Sequence, residues 1–144
     1  MLKRYHPEAV ISGMAQGWDM EVAQAAIDLR IPLIAAVPFE DQDKLWPLST
    51  QARYAGLLKR ASQVELVSTG TFTPAKYHKR NHWMVDHCDR LLALWDPTER
   101  VGGTYETIQY AARCKTPCDN FWPIWVNMVL TEIPNRASVS GKTR

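Results

Sequence analysis

The 144-residue sequence lacks most of the features that would place it outside the cell, in a membrane or on nucleic acid. It has only three cysteines, Cys88, Cys114 and Cys118. An odd number without paired ligand spacings argues against a disulfide framework or a zinc site, and Cys114 and Cys118 read as small structural thiols. The formal net charge is only +2, too small to imply a nucleic-acid or membrane partner without a local basic patch. Dibasic pairs such as Lys3-Arg4, Lys59-Arg60 and Lys79-Arg80 are scattered along the chain and form no continuous track. No apolar run approaches the ~20 residues needed to span a bilayer. The segment Met1-Leu2-Lys3-Arg4-Tyr5-His6-Pro7 has no apolar stretch of the kind a signal peptide needs. A cytoplasmic protein with no membrane or nucleic-acid partner is the expectation.

What is present is an ordinary globular balance, 46% hydrophobic and 22% charged. Short apolar runs alternate with helical periodicity. Ala9 to Ser12, Leu33 to Val37, Val64 to Val67 and Arg90 to Trp95 read as strands. Trp18 to Leu29 reads as a helix, with Trp18, Val22, Ala25, Ala26 and Leu29 on one face. Gln51 to Ser62 follows Asp41 to Ser49, a polar loop, and buries Tyr54, Leu57, Leu58 and Ala61. Thr73-Pro74 starts a helix that runs roughly to His87 and buries Tyr77, Asn81, Met84, Val85 and Cys88. Thr104 to Cys114 follows a glycine-containing loop. Four strand–helix alternations predict a single Rossmann-like, doubly wound α/β domain over residues 1–136, with a mainly parallel sheet and helices on both faces. A flexible tail is expected over residues 137–144. Trp95, Trp122 and Trp125 read as core or dimer contacts.

In an open α/β sheet, ligands sit beyond the carboxyl ends of the strands. Four segments are predicted at that edge: Gly13 to Gly17, Pro38 to Gln42, the Thr69 to Thr73 turn, and Val101 to Thr104. The first and last are glycine-bearing loops that open helices. A helix N-terminus carries free N–H groups and a partial positive charge, and glycine lets backbone close on an anion. Such loops suit phosphate, although a glycine pair also serves a plain strand-to-helix turn.

The motifs resemble those of a known superfamily. "SGMAQGWDMEVAQAA" is similar to a stretch of the DNA-processing protein A family. "KRNHWMVDHCDRLLALWDPTERVGGTYETI" is similar to the "GGxGTxxE" region of LOG-type phosphoribohydrolases and lysine-decarboxylase-like proteins. The segment "AAVPFEDQDKLWP" resembles the YspA-like and YpsA-like branch found in bacteria and their phages. All belong to the SLOG superfamily of Rossmann-like nucleotide binders, and the resemblance runs from Val10 to Trp122. It implies a first phosphate loop of Gly13, Met14, Ala15, Gly17 and Asp19, and a second of Gly102, Gly103 and Thr104. It implies that Arg80, beside Asn81, faces the ligand. Phe39, Gln42 and Trp46 are further candidates, the aromatics as base contacts or as packing.

Two departures bear on function. The hydrolases carry a glutamate three residues after the threonine of the second loop, where this sequence has Thr107. The carboxylate stands one residue earlier, at Glu106, a rotation of about 100° on a helix. Relatives also begin with a strand and helix ahead of the segment matching Val10. The absent strand is expected between the strands at Ala9 and Val64, its place taken by Ile124 to Leu130 or by a strand from a second chain. The resulting expectation is a homo-oligomeric protein that binds a nucleotide-like small molecule, to sense or sequester it, without metal or cofactor. His78 and His82 share a helix face, but His87 and Cys88 do not join them as ligands. The rivals are a nucleoside-monophosphate phosphoribohydrolase with Arg80 and Glu106 as catalytic pair, single-stranded DNA binding, and a scaffold without ligand.

Overall fold

The structure, a computed structural model, describes residues 1–137. Helices and parallel strands alternate along the chain, as a Rossmann-like α/β arrangement requires. The chain divides into two compact units, Met1–Asp89 and the residues from Arg90 onward.

The first unit opens with one helical turn, α1 (Leu2–Tyr5), followed by β1 (Val10–Ser12), α2 (Trp18–Asp28), β2 (Leu33–Val37), α3 (Leu48–Arg60), β3 (Gln63–Leu66) and α4 (Pro74–Asp86). The strands form a parallel sheet in the order β1-β2-β3, with Val10 opposite Leu33 and Ile34 opposite Gln63. β2 is central and accordingly the most apolar, with Leu33, Ala35, Ala36 and Val37 all buried. Met20, Val22, Ala23 and Ala26 form the buried face of α2. That face is rotated from the one predicted, because Trp18 and Leu29 remain partly exposed. Asp19 and Glu21 in its first turn complement the helix dipole. Arg30, at φ 58°, ends it in a left-handed turn closed by the Ile31 amide on the Ala26 carbonyl.

This order corrects one expectation. The place between the strands at residues 9–12 and 64–67 is held by β2, so no vacancy exists there. Single-helix crossovers lay consecutive parallel strands side by side. Ile124 to Leu130 does not supply a strand either, for it lies within a helix.

The second unit comprises β4 (Leu91–Ala93), α5 (Gly103–Arg113), β5 (Cys118–Asn120) and α6 (Trp122–Ala137). β4 and β5 pair in parallel. The Asn120 side chain reinforces the pair: Oδ1 accepts the Trp95 amide at 3.0 Å, and Nδ2 donates to the Trp95 carbonyl at 2.7 Å. β5 is short and polar, and the sequence analysis has no strand there. Cys114 and Cys118 are exposed, which removes their expected structural burial. The expected tail lies, beyond Ala137, outside the described residues.

Leu57 on α3 is 1% exposed. Leu57→Ala removes buried methyl groups and leaves a cavity, so urea denaturation will show a loss of about 2–5 kcal/mol. An exposed control, Leu48→Ala, will change stability by less than about 0.5 kcal/mol.

Candidate functional site

Because β1, β2 and β3 run parallel, their carboxyl ends share one edge of the sheet. Three of the predicted segments therefore sit together: the Gly13–Gly17 loop after β1, Pro38 to Gln42 after β2, and the Thr69 to Thr73 turn after β3. The fourth, at 101–104, follows β4 in the second unit.

The carbonyl of Gly13 is the focus of this edge. The buried Arg80 guanidinium donates to it through Nη1, and the buried Gln42 donates through Nε2 at 3.4 Å. Tyr54 extends the chain by donating its hydroxyl to Gln42 Oε1 at 3.3 Å. Arg80 Nε donates to Asn81 Oδ1 at 2.8 Å. Trp46 packs edge-on against Tyr54, with ring centres 5.3 Å apart. Arg80 is only 4% exposed, so it is a buried strut of the loop and not the solvated helix-face charge that the neighbouring Lys79 suggests.

Gly13 is needed here for space. A Cβ at this position would lie 2.7 Å from Arg80 Cζ and 2.8 Å from Asp19 Oδ2. Gly17 is needed for conformation, with φ 85° and open space around it. Between them Met14 adopts φ 58°, an uncommon state for a side chain of its size, and is fully buried. Ser12 Oγ accepts the Met14 amide at 3.1 Å and donates to the Asp19 carbonyl at 2.8 Å, tying the strand end to the helix start. The Asp19 carboxylate accepts the Ala15 amide at 3.2 Å. Two amides of the loop are thus satisfied by the protein's own side chains. The remaining apex, Gln16 and Gly17, is exposed, and the helix that starts at Gly17 has no side-chain cap.

Burial drives the electrostatics. It raises the pKa of Asp19, with the Arg80 charge and the Ala15 amide opposing. It lowers that of Arg80, with Asp19 opposing. It pushes the Tyr54 hydroxyl upward, aided by Asp43, which keeps Tyr54 a donor.

Beside the loop lies an aromatic cluster. Phe39 is buried and meets Phe72 and Tyr77 edge-on, at 5.8 and 5.4 Å between ring centres. The Arg80 guanidinium lies 5.7 Å from the Tyr77 ring centre. Phe72 is 58% exposed. It rides on a turn shaped by Lys76, whose ammonium donates to the Thr69 and Thr71 carbonyls. Ser68 Oγ, at the start of that turn, is buried without a hydrogen-bond partner.

The structure therefore assembles Gly13, Met14, Ala15, Gly17, Asp19, Gln42, Arg80 and Asn81 around one loop, with Trp46 reached through Tyr54 and Phe39 through Tyr77. Gly102, Gly103, Thr104 and Glu106 stand at the start of α5 in the second unit. There Gly102 has φ 94°, and α5 also lacks a side-chain cap. Thr107 is buried and donates to the Gly103 carbonyl at 2.6 Å, while Glu106 is exposed. Sequence reasoning missed Ser12, Tyr54 and Phe72 as parts of the site. Only Ser12 left a trace, as a hydroxyl between strand and glycine.

Comparison with known proteins places the chain in a family. The family model described as the YspA SLOG family matches residues 3–120. The chain belongs to the YspA SLOG family. It is 30% identical over 119 residues to the SPbeta prophage-derived protein YoqJ of Bacillus subtilis (strain 168), covering 72% of this chain and 68% of that one. It is 31% identical over 94 residues to a UPF0398 protein of Bacillus pumilus (strain SAFR-032), covering 61% and 50%. It is 28% identical over 102 residues to the UPF0398 protein YpsA of Bacillus subtilis (strain 168), covering 67% and 56%. The chain thus spans about half the length of the last two. Membership in the SLOG family points to a nucleotide-related role.

Two outcomes test the strut. Gly13→Ala will lower stability by about 1–3 kcal/mol in denaturant titration, because anchored side chains must move for one methyl group. Asp19 gives a pH signature. A carboxyl whose folded pKa is raised contributes stability that is complete below the ordinary value of 3.8 and is lost as pH rises through the folded value. The stability of the wild type relative to Asp19→Asn will therefore fall across that window, by at most about 1.4 kcal/mol per pH unit. A relative gain with rising pH would mean that Arg80 outweighs burial.

Proposed function

We propose that this chain binds a nucleotide or nucleotide derivative and acts as a recogniser that senses or sequesters it. Phosphate sits at the exposed apex of the Gly13–Gly17 loop, against the uncapped first turn of α2. The base lies toward Phe72. Phe39 is enclosed by its neighbours and serves as the buried support of that surface.

The observation that carries this reading is the buried support of the loop. Arg80 and Gln42 hold the Gly13 carbonyl from below, and Ser12 and Asp19 hold the inner amides. The loop is braced from the inside, which leaves its exposed apex at Gln16 and Gly17 for a ligand. Preorganised donors of this kind cost little to engage. The buried Arg80 charge adds positive potential behind the loop. Family membership favours a nucleotide over other anions. Arg80 supports the loop and does not serve as an exposed clamp, so Arg80→Ala will act first on stability, with a loss of about 3–5 kcal/mol.

The test is a thermal-shift and calorimetry panel of nucleosides and their mono-, di- and triphosphates. Phosphorylated members will stabilise the chain, by about 2.7 kcal/mol at a hundredfold excess over the dissociation constant. The parent nucleosides will not. Chromatography of the same mixtures will show no released base. Binding that ignores the phosphate would overturn the assignment of the loop, and release of base would make the protein a phosphoribohydrolase.

A further inference from the structure

β3 is the last strand of the β1-β2-β3 order, so among the described strands it has a partner on one side only. The Val67 amide donates to the Val37 carbonyl of β2 at 2.8 Å. Backbone groups alternate sides along a strand, so Gln63 and Glu65 turn theirs toward β2, while Val64 and Leu66 turn theirs away. The outer edge therefore presents the N–H and C=O groups of Val64 and Leu66 at strand spacing. Their side chains are apolar and open, with Val64 49% and Leu66 40% exposed. The edge carries few of the usual guards against pairing. Gln63 to Val67 contains no proline or lysine, and the register with β2 runs without a bulge. The opposite end of the sheet, β1, differs, for its Val10 and Ser12 are buried.

Beside this edge, β3 and α4 border an open groove of about 500 Å³. Glu65 and Val67 line it from the strand, and Lys79, His82, Trp83 and Asp86 line it from the helix. Two features select the occupant. The row of backbone groups fits an extended chain, which supplies matching donors and acceptors where a plain apolar surface supplies none. Charge then sets its side chains. Glu65 is the only charged residue from Gln63 to Val67, and the groove holds a second carboxylate, Asp86, against the single ammonium of Lys79. A basic residue opposite Glu65 is favoured at cross-strand distance. A second copy fits badly: the antiparallel register that pairs Val64 of each copy with Leu66 of the other sets Glu65 opposite its own equivalent, and like charges so placed repel.

We propose that the outer edge of β3 takes an extended peptide as an added strand, with a lysine or arginine of the peptide opposite Glu65 and apolar residues opposite Val64 and Leu66. The test is calorimetry with a seven-residue peptide of alternating valine and lysine, and with its counterpart of valine and glutamate. The lysine peptide will bind, the glutamate peptide will bind at least about tenfold more weakly, and Glu65→Lys will reverse that order. Leu66→Pro removes an N–H that points away from β2, so it will weaken the lysine peptide by about tenfold with the circular dichroism unchanged. Should that variant lose its fold, N-methylation of the peptide tests the same bonds without altering the protein. One of the two alternate sets of peptide amides must face β3, so methylating at least one set will abolish binding. A lysine peptide that does not bind, equal binding of the two peptides, or binding that survives methylation of each set in turn would refute the proposal. A wild-type dimer that Leu66→Pro converts to monomer would make a second copy the occupant and refute it likewise.

Discussion

The first unit depends on how one buried guanidinium is accommodated. Arg80 sits beneath the strand-to-helix loop, away from water, and a buried cation is costly unless its donors are used and its charge is opposed. The Gly13 carbonyl and Asn81 Oδ1 accept from Nη1 and Nε, and Asp19 opposes the charge. The rest of the loop follows. Gly13 must lack a side chain because Arg80 and Asp19 fill that space. Asp19, drawn inward, takes the Ala15 amide. Ser12 joins the strand end to the helix start. What is left outward is the short apex at Gln16 and Gly17 and a helix start without a cap.

This arrangement separates two tasks that glycine loops often combine. The inner half of the loop is spent on structure, since its amides are bonded to Ser12 and Asp19. On the proposed reading, the outer half serves recognition. On the same reading, a loop braced by these contacts favours selective binding of a compact anion over induced closure. It also makes the site sensitive to distant packing, because Gln42 and Tyr54 reach the same carbonyl from the segment that follows β2. The aromatic surface is built on the same plan, with buried Phe39 beneath and exposed Phe72 outside.

Much of this was legible in the sequence. β2 was bounded as observed, because a continuous apolar run closed by Pro38 admits few other readings. The loop residues Gly13, Gly17 and Asp19 were found through spacing and resemblance. The rest failed for physical reasons. Arg80 was read as facing the ligand, and its bond to the Gly13 carbonyl was not legible, since a sequence carries no record of a contact between positions 67 residues apart. Phe72 sat in a polar turn whose shape depends on Lys76. β5 has no apolar signal and is held by pairing and by Asn120. Ile124 to Leu130 has the β-branched and aromatic content of a strand, but the chain from Trp122 onward satisfies its backbone locally as a helix and leaves its apolar stripe outward.

The central claim is that the bracing of Gly13 presents the loop apex and the first turn of α2 to a phosphate group. The most direct measurement is the change in backbone amide chemical shifts as a nucleoside monophosphate, and separately its parent nucleoside, is added to isotopically labelled protein. The account predicts that the amides of Gln16, Gly17, Asp19 and Met20 move with the monophosphate and stay in place with the nucleoside. Identical responses to both, or shifts confined to residues away from this loop, would contradict it.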